Sequence, residues 1–176
     1  MIFGSEFTIR HVLKSDLAEL LPLLSNPELR GDYLPSAITS PTEFEKKFDK
    51  DGFSAEAFER LLIVDKAGKI LGTIFHFKSV PYFNAREIGY VMLSPEHRNK
   101  GIATKAVNLL TRYLFDSLLI NRLEIRMDTQ NLASEKVAMN CGFKKEGVAR
   151  AANFVRGRHV DMHVYALLRD EARGAD

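Results

Sequence analysis

The stretch Arg98-Asn99-Lys100-Gly101-Ile102-Ala103 joins a predicted strand, residues 87–93, to a predicted helix, residues 102–115. Where a strand passes through a glycine into a helix, the first backbone N–H groups of the helix have no partner within it. These donors and the positive end of the helix dipole form a binding site for an anion. Gly101 has no Cβ, so a phosphate can approach the backbone closely. The stretch predicts a site for a pyrophosphate-bearing ligand, and positive charge is added nearby by Arg98, Lys100 and Lys105.

The composition excludes several functional classes. Of the 176 residues, 45% are hydrophobic and 27% are charged, which is typical of a globular protein. The 25 basic and 23 acidic side chains leave a net charge of +2, too balanced for a dedicated nucleic-acid-binding or membrane-surface protein. No apolar run approaches the roughly 18 residues of a membrane span, and no signal peptide is evident. We therefore expect a cytoplasmic protein with no nucleic-acid and no membrane partner.

The order of the predicted elements indicates the fold class. The middle of the chain changes to β-rich segments that are bounded by turns such as residues 66–69. Strands joined by short turns pair antiparallel, whereas the helix at 102–115 provides one crossover to a parallel neighbour. The prediction is an α/β fold of the α+β type, with a central, mostly antiparallel mixed sheet of about six to seven strands and flanking helices. Residues 1–6 are assigned to no element, and the predicted strands lie at 7–13, 60–65, 70–77, 87–93, 122–127, 147–155 and 159–168.

Two common nucleotide-binding patterns are absent from the sequence. The chain contains neither the glycine-rich Rossmann fingerprint nor the Walker A sequence. The series of hairpin strands before the anion-binding turn also disfavours a doubly wound nucleotide fold. The pyrophosphate is therefore not predicted to belong to a dinucleotide in a Rossmann domain or to a nucleotide in a P-loop.

Three motifs occur in the order found in one enzyme family. The turn that begins at Arg98 matches the pattern (Gln/Arg)-x-x-Gly-x-(Gly/Ala) and follows the strand that contains Glu87-Ile88-Gly89-Tyr90. The second and third motifs are Asn131-Leu132-Ala133-Ser134 with Asn140-Cys141-Gly142-Phe143, and Gly157, Asp161 and Tyr165. Together the motifs resemble the GNAT N-acetyltransferases. The last of them is similar to the RimJ/RimL-like branch, the ribosomal-protein N-terminal acetyltransferases.

The resemblance implies one GNAT domain over residues 1–176, with acceptor-side helices at 7–60 and a cofactor-binding core at 60–168. It also implies acetyl-CoA as the cosubstrate and no metal. In this family the strand equivalent to residues 122–127 splays from its neighbour and admits the pantetheine arm. The implied cofactor-binding residues are Met92, Leu93, Arg98, Asn99, Lys100, Gly101, Ile102, Ala103, Thr104 and Asn131.

Three of these residues have more specific expected roles. The backbones of Met92 and Leu93 are expected to pair with the pantetheine arm as an added strand would, and backbone N–H groups near Met92 or Leu93 to polarise the thioester carbonyl. Asn131 either bonds a pantetheine amide or caps the following helix.

Two residues are candidates for the proton transfers of amide formation. An alkyl ammonium is mostly charged at neutral pH, so a base or a chain of waters must remove its proton. Glu87 is the candidate base; alternatively it is a solvated carboxylate at a strand end. Many GNAT enzymes protonate the departing thiolate with a tyrosine, but Ala138 stands at that position. Ser134 resembles the RimJ/RimL-like arrangement and is the substitute; alternatively it caps a helix.

Other chemistry-bearing residues are assigned structural roles. Cys141 is expected to be a buried small hydrophobe rather than a nucleophile. His76 fits a core or strand-face position. His159 and His163, which alternate with Asp161, offer too few ligands for a metal site. Four phenylalanines either line an acceptor pocket or belong to the core, namely Phe44, Phe48, Phe53 and Phe58.

The predicted function is acetyl-CoA-dependent N-acetylation, in which a primary amine attacks the thioester directly in a ternary complex. The acceptor is either a protein N-terminus or a small amine such as an amino acid, a polyamine or an antibiotic. The protein is either a monomer or a homodimer. A catalytically silent acyl-CoA-binding or regulatory module on the same fold is the alternative, because Ala138 replaces the expected tyrosine.

Overall fold

One continuous sheet runs through the protein in the computed structural model, which describes residues 1–35, 38–93 and 95–173. Its eight strands lie in the order β1-β2-β3-β4-β5-β6-β8-β7. The strands are β1 (Ile2–Phe3), β2 (Phe7–His11), β3 (Phe58–Asp65), β4 (Ile70–Phe77), β5 (Ala85–Met92), β6 (Arg122–Asp128), β7 (Lys144–Val155) and β8 (Arg158–Leu168). The helices are α1 (Leu17–Ser25), α2 (Pro27–Arg30), α3 (Pro41–Asp51), α4 (Ile102–Ser117), α5 (Leu132–Asn140) and α6 (Arg169–Arg173).

The pairing of β5 with β6 positions the site. It is the parallel pair of the sheet, because α4 carries the chain across between these strands, and the other neighbours pair antiparallel. The pairing covers three positions, of which the last sets Glu87 opposite Glu124. β5 continues to Met92 and β6 to Asp128 beyond this point. The sheet therefore opens between the two strands, which confirms the splayed pair implied by the resemblance.

Each face of the sheet carries its own hydrophobic core, because side chains alternate between the faces along every strand. On the first face, Ile88 of β5 and Leu123 of β6 pack in one cluster with Leu110 of α4. On the second face, Leu62 of β3 packs in another cluster with Leu20 of α1. The helices of residues 17–51 thus cover one side of the sheet, and α4 and α5 cover the other.

The helix that follows the anion-binding turn is held by its buried stripe. Ala106, Val107, Leu110 and Leu114 recur at helical spacing and have no solvent exposure. Truncation of Leu110 or Leu114 to alanine is expected to destabilise the fold by about 2–5 kcal/mol. This stripe keeps the start of α4 at a defined position relative to β5.

Two sequence predictions about the sheet were wrong. Residues 1–6 do form an element: β1 pairs antiparallel with β2, Ile2 opposite Ile9 and Phe3 opposite Thr8, which raises the strand number to eight. A strand of two residues is too short to show alternation, so the pattern could not reveal it. β7 also begins at Lys144 rather than near residue 147. Across the described ranges, none of the helices has the length and apolar character needed to cross a membrane.

Candidate functional site

The start of α4 presents backbone donors that have no acceptor within the helix, as the sequence predicted. Asn99 (φ 59°) and Gly101 (φ 75°) adopt left-handed conformations that turn the chain into the helix. The Lys105 amide donates the first bond of α4, to the Gly101 carbonyl at 3.0 Å. The amides of Ile102, Ala103 and Thr104 precede it and have no acceptor within the helix. A Cβ at Gly101 would have no neighbour within 4 Å, so the turn has room for a pyrophosphate.

The basic side chains around this turn differ from the expectation. Arg98 Nη2 donates to the carbonyl oxygens of Leu29 (2.5 Å) and Met92 (3.3 Å). Lys105 pairs with Glu6, while Lys100 is exposed. The interpretation of Arg98 as a charge beside the phosphates is therefore corrected, because its guanidinium joins α2 to the end of β5.

The edge of β5 that faces the opening offers backbone groups to a ligand. The Leu93 amide donates to the Leu71 carbonyl at 3.0 Å, towards β4. Alternate residues of a strand direct their backbone groups to opposite edges, so the Met92 amide faces the opening. The expectation that the Leu93 amide polarises a thioester was therefore wrong, whereas Met92 has the required direction.

A pair of hydroxyls lies on the first face of the opening. Tyr90 Oη, from β5, is 2.8 Å from Ser134 Oγ and 3.3 Å from the Ser134 carbonyl oxygen, at the start of α5. Burial raises the pKa of Tyr90 to about 12, so the phenol is protonated at neutral pH. The sequence reasoning identified Ser134 and missed Tyr90. Side chains alternate between the two faces of a strand, so the sequence places Tyr90 on the face opposite Glu87 and on the same face as Met92. This position on the cofactor strand could have pointed to Tyr90.

The alternatives for Asn131 and Ser134 are now separated. Asn131 Oδ1 accepts a hydrogen bond from the Ser134 amide at 3.1 Å, so Asn131 is the N-cap of α5. The Ser134 hydroxyl contacts Tyr90 instead of capping the helix. With its oxygen engaged, Asn131 retains the carboxamide nitrogen as the group with which it would bind a ligand.

Glu87 lies on the second face, at the last paired position before the opening. Its side chain is only 15% exposed, so the alternative of a solvated carboxylate is wrong. Arg126 Nε lies 3.5 Å from Glu87, while Glu124 binds Arg126 and Arg122 at 2.8 and 2.7 Å. Burial raises the pKa of Glu87 to about 7, against the opposing effect of Arg126. A carboxylate with such a pKa is suited to general-base catalysis near neutral pH.

A cavity of about 460 Å³ lies on the same face, between the sheet and the helices of residues 17–51. Val91 of β5 and Phe75 of β4 form part of its floor. The Phe75 ring covers Gly89, where an added Cβ would lie 2.3 Å from a ring carbon, so this position requires glycine. Of the four phenylalanines predicted from the sequence, Phe44, Phe53 and Phe58 line the cavity, and Phe48 packs against Phe53 with ring centroids 5.7 Å apart.

Comparison with known proteins identifies the family. Residues 6–144 match the family described as acetyltransferase (GNAT) domain. The chain belongs to the GNAT acetyltransferase family. It is an N-acetyltransferase, and GNAT acetyltransferases use acetyl-CoA.

The relatives of this GNAT chain include enzymes that are named for different substrates. The chain is 36% identical to the uncharacterized N-acetyltransferase p20 of Bacillus licheniformis, over 98% of each chain. It is 40% identical to the putative ribosomal N-acetyltransferase YdaF of Bacillus subtilis, over 50% of this chain and 48% of that protein. A crystal structure of spermidine N-acetyltransferase from Vibrio cholerae, in complex with CoA and spermine, has the same fold. Its TM-score is 0.85 at 22% identity, over 97% of this chain and 99% of that one.

One position of this GNAT domain departs from the family pattern. Ala138, where the resemblance implied a tyrosine, is fully buried in the core between the sheet and α4. It therefore offers no group to a substrate. The hydroxyls that the structure does bring to this side of the opening belong to Ser134 and Tyr90.

The remaining candidates have structural surroundings. Cys141 is buried, and burial raises the pKa of its thiol to about 12, so it is no nucleophile. His76 is buried and contacts Glu59 at 2.9 Å. Asp161 accepts a bond from the Ala151 amide at 2.8 Å, within the β7–β8 hairpin. Among the described residues, no group of three or more His, Cys, Asp or Glu side chains is arranged to hold a metal ion.

Proposed function

We propose that the chain transfers the acetyl group of acetyl-CoA to a primary amine while both substrates are bound at the opening between β5 and β6. One observation carries the proposal: one face of the opening has a hydroxyl pair and amides with no acceptor within α4, and the other face has a carboxylate that is only 15% exposed and a cavity. When acetyl-CoA is bound, it supplies the carbonyl carbon that forms a bond to the amine nitrogen as the carbon–sulfur bond breaks.

The cofactor side acts chiefly through its backbone. The amides of Ile102, Ala103 and Thr104, with the dipole of α4, hold the pyrophosphate. The Met92 amide donates to the carbonyl oxygen of the thioester and stabilises the negative charge that develops there. Asn131 donates its carboxamide N–H to the pantetheine arm. These groups are fixed by the buried stripe of α4 and by the β4–β5 pairing, so they need little reorganisation.

Glu87 is the proposed base. The acceptor arrives as an ammonium ion, and it must lose two protons to become an amide. Glu87 takes the first, directly or through one water, and releases it to solvent. Its pKa near 7 leaves a large share of the carboxylate ionised at neutral pH, and Arg126 keeps the ionised form in position.

The second proton balances the departure of the thiolate. Ser134 donates a hydrogen bond or a proton to the sulfur, and Tyr90 donates to Ser134 across their 2.8 Å contact. The nitrogen of the new amide still carries one extra proton, and its transfer to the hydroxyl pair returns Ser134 and Tyr90 to their protonated state. Because the pKa of Tyr90 is about 12, the phenol stays a donor and does not accumulate as phenolate. The pair thus replaces the tyrosine that is absent at Ala138.

The finer assignments rest on the relatives and on composition. The Ser134 arrangement supports the RimJ/RimL-like branch, to which the name of the ribosomal relative also points. Polyamine acetyltransferases have the same fold, so fold alone does not choose the acceptor. A cytoplasmic location is supported by the free thiol of Cys141, which a reducing compartment maintains. Residues 1–176 form one GNAT domain, in which 7–60 serve the acceptor and 60–168 serve the cofactor.

The test is a measurement of thiol release from acetyl-CoA with a panel of amines, with the products identified by mass spectrometry. Steady release that depends on an amine is expected, and Ser134→Ala should lower kcat by about 10-fold or more while the Kd of CoA changes less than 2-fold. Binding of acetyl-CoA with no amine-dependent release would instead identify a silent acyl-CoA-binding module. Wild-type turnover in Ser134→Ala would remove Ser134 from the mechanism.

A further inference from the structure

Two arginines line the cavity on the second face, and neither has a carboxylate partner among the described residues. The Arg60 guanidinium lies over the rings of Phe58 and Phe75, with its carbon 5.6 and 5.3 Å from the ring centroids. Its one hydrogen bond to a described residue is a 3.5 Å contact with Thr73 Oγ1. Arg30 donates from Nη1 to the Leu24 carbonyl at 3.0 Å, while its buried Nε has no acceptor among the described residues.

The charges around the two guanidiniums do not compensate them. Lys47 and Lys50 also line the cavity, and the one carboxylate among the described lining residues is that of Asp51. Asp51 Oδ1 already accepts a bond from the Phe53 amide at 2.9 Å. Burial and the charge of Arg30 lower the pKa of Arg60 to about 10, which leaves Arg60 protonated at neutral pH.

A half-buried cation without a partner is an unfavourable arrangement unless a ligand completes it. Desolvation of a charged group costs free energy that is recovered only through hydrogen bonds or an opposite charge. Guanidinium groups bind carboxylates through paired N–H donors, and such bonds are among the strongest in proteins. The Nε of Arg30 and the guanidinium of Arg60, which stacks on two phenylalanine rings, could therefore bind one anion in the cavity together.

Building on the proposed function, we infer that the acceptor is a small amine that also carries a carboxylate and an apolar side chain. The carboxylate binds Arg30 and Arg60, and the apolar group packs on the phenylalanines. The amine then lies over Val91 of β5, on the face that carries Glu87. An amino acid has all three parts within one small molecule.

The same observations disfavour the other acceptor classes. Among the described lining residues, four side chains are basic and one is acidic, so a polyamine with several positive charges is repelled there. A protein N-terminus lacks the neighbouring carboxylate, because that group has become a peptide bond. The volume of about 460 Å³ lies within the range of small-molecule sites.

The experiment compares amino acids with the amines that differ from them only in the carboxylate. The probes are phenylalanine with phenethylamine, leucine with isopentylamine, and methionine with 3-methylthiopropylamine. Spermidine and a peptide with an N-terminal serine serve as the rival acceptors. For at least one pair, kcat/KM for the amino acid should exceed that for its partner by about 10- to 100-fold, mainly through KM.

Variants link this preference to the arginines. Arg60→Gln and Arg30→Met should each reduce the preference, the ratio of kcat/KM for the amino acid to that for its partner amine, to less than about 3-fold. Arg60→Lys retains the charge and should retain part of the preference. This variant also serves as the test if Arg60→Gln does not fold. Lys46→Gln removes an exposed charge from α3 outside the cavity, where Lys46 pairs with Glu43, and should change nothing.

The outcomes separate the two proposals. Faster acetylation of spermidine, of the peptide or of the amines without a carboxylate would overturn the inference and leave the acetyltransferase proposal in place. If no amine is acetylated, binding of the same pairs is measured by saturation-transfer NMR. Selective binding of the amino acids, lost in Arg60→Gln and weakened but not lost in Arg60→Lys, would then support the inference while the proposed function fails. Equal or absent binding of both members of every pair would overturn it.

Discussion

The two sides of the β5–β6 opening are built from different kinds of groups. On the side of α4 and α5, the donors are largely backbone amides that one helix start and one strand edge position, aided by Ser134 and Tyr90. On the side of α1 to α3, the cavity is formed by side chains from elements that are distant along the chain, such as Arg30 and Phe75. A backbone site depends on local conformation, whereas a side-chain site depends on how the whole fold assembles.

Gly101→Val should have the largest effect, and it tests whether the cofactor side depends on one backbone conformation. At φ 75° valine is strained, and its side chain would occupy the space left open for the pyrophosphate. We expect the Kd of CoA, measured by calorimetry, to rise more than 100-fold. Gly68→Val is the matched control, since Gly68 has φ 91° with equally open space but lies in the β3–β4 turn. Equal CoA affinity in both variants would contradict the assignment.

Glu87→Gln should mainly affect the acceptor side. With a pKa of about 7, Glu87 is ionised above that pH and protonated below it. We expect kcat/KM for the amine to fall about 50-fold at pH 8, and to approach the wild-type value below pH 6, where wild-type Glu87 is protonated as well. The Kd of CoA should stay unchanged throughout. A loss of the same size at both pH values would show that Glu87 is not the base.

Tyr90→Phe should have a smaller effect, on the cofactor side. The variant keeps the ring and removes the hydroxyl that contacts Ser134, so kcat should fall about 10-fold with little change in the Kd of CoA. Tyr113→Phe, at an exposed position of α4, provides the control. Adding Tyr90→Phe to Ser134→Ala should cost less than it does alone, because the two hydroxyls act as one unit. Full additivity would separate Tyr90 from Ser134.

The last expected effect concerns stability and leaves turnover aside. The pKa of Glu87 is raised from 4.5 in the unfolded chain to about 7 in the fold, so burial of the charge destabilises the fold as pH rises from 4.5 to 7. Below pH 4.5 both states are protonated and the cost is absent. The free energy of unfolding of Glu87→Gln, taken relative to that of the wild type, should therefore rise by roughly 2–3 kcal/mol between pH 4 and pH 8. Urea unfolding at the two pH values measures it, and a pH-independent difference would contradict the elevated pKa.

The features that could be predicted from sequence are those that depend on local conformation. The turn at Gly101, the strand that precedes it and the N-cap position of Asn131 are local features, and the sequence indicated all three. Tyr90 was missed because its partner, Ser134, lies 44 residues later. The presence of Arg30 and Arg60 in one cavity was equally hidden, since residues 7–60 carry no motif and α2 and β3 come together only in the folded chain.

The short parallel pairing also determines how the opening can change width. Five strands lie on one side of it and three on the other, and only three paired positions join these half-sheets along their shared edge. If β5 and β6 spread apart within the plane of the sheet, the axis of that rotation passes through the paired positions and is perpendicular to the sheet. Glu87 is at the last paired position and lies close to this axis, whereas Met92 lies five residues farther along β5, on the order of 16 Å away. Such a spreading would move Glu87 least and the end of the opening at Met92 most.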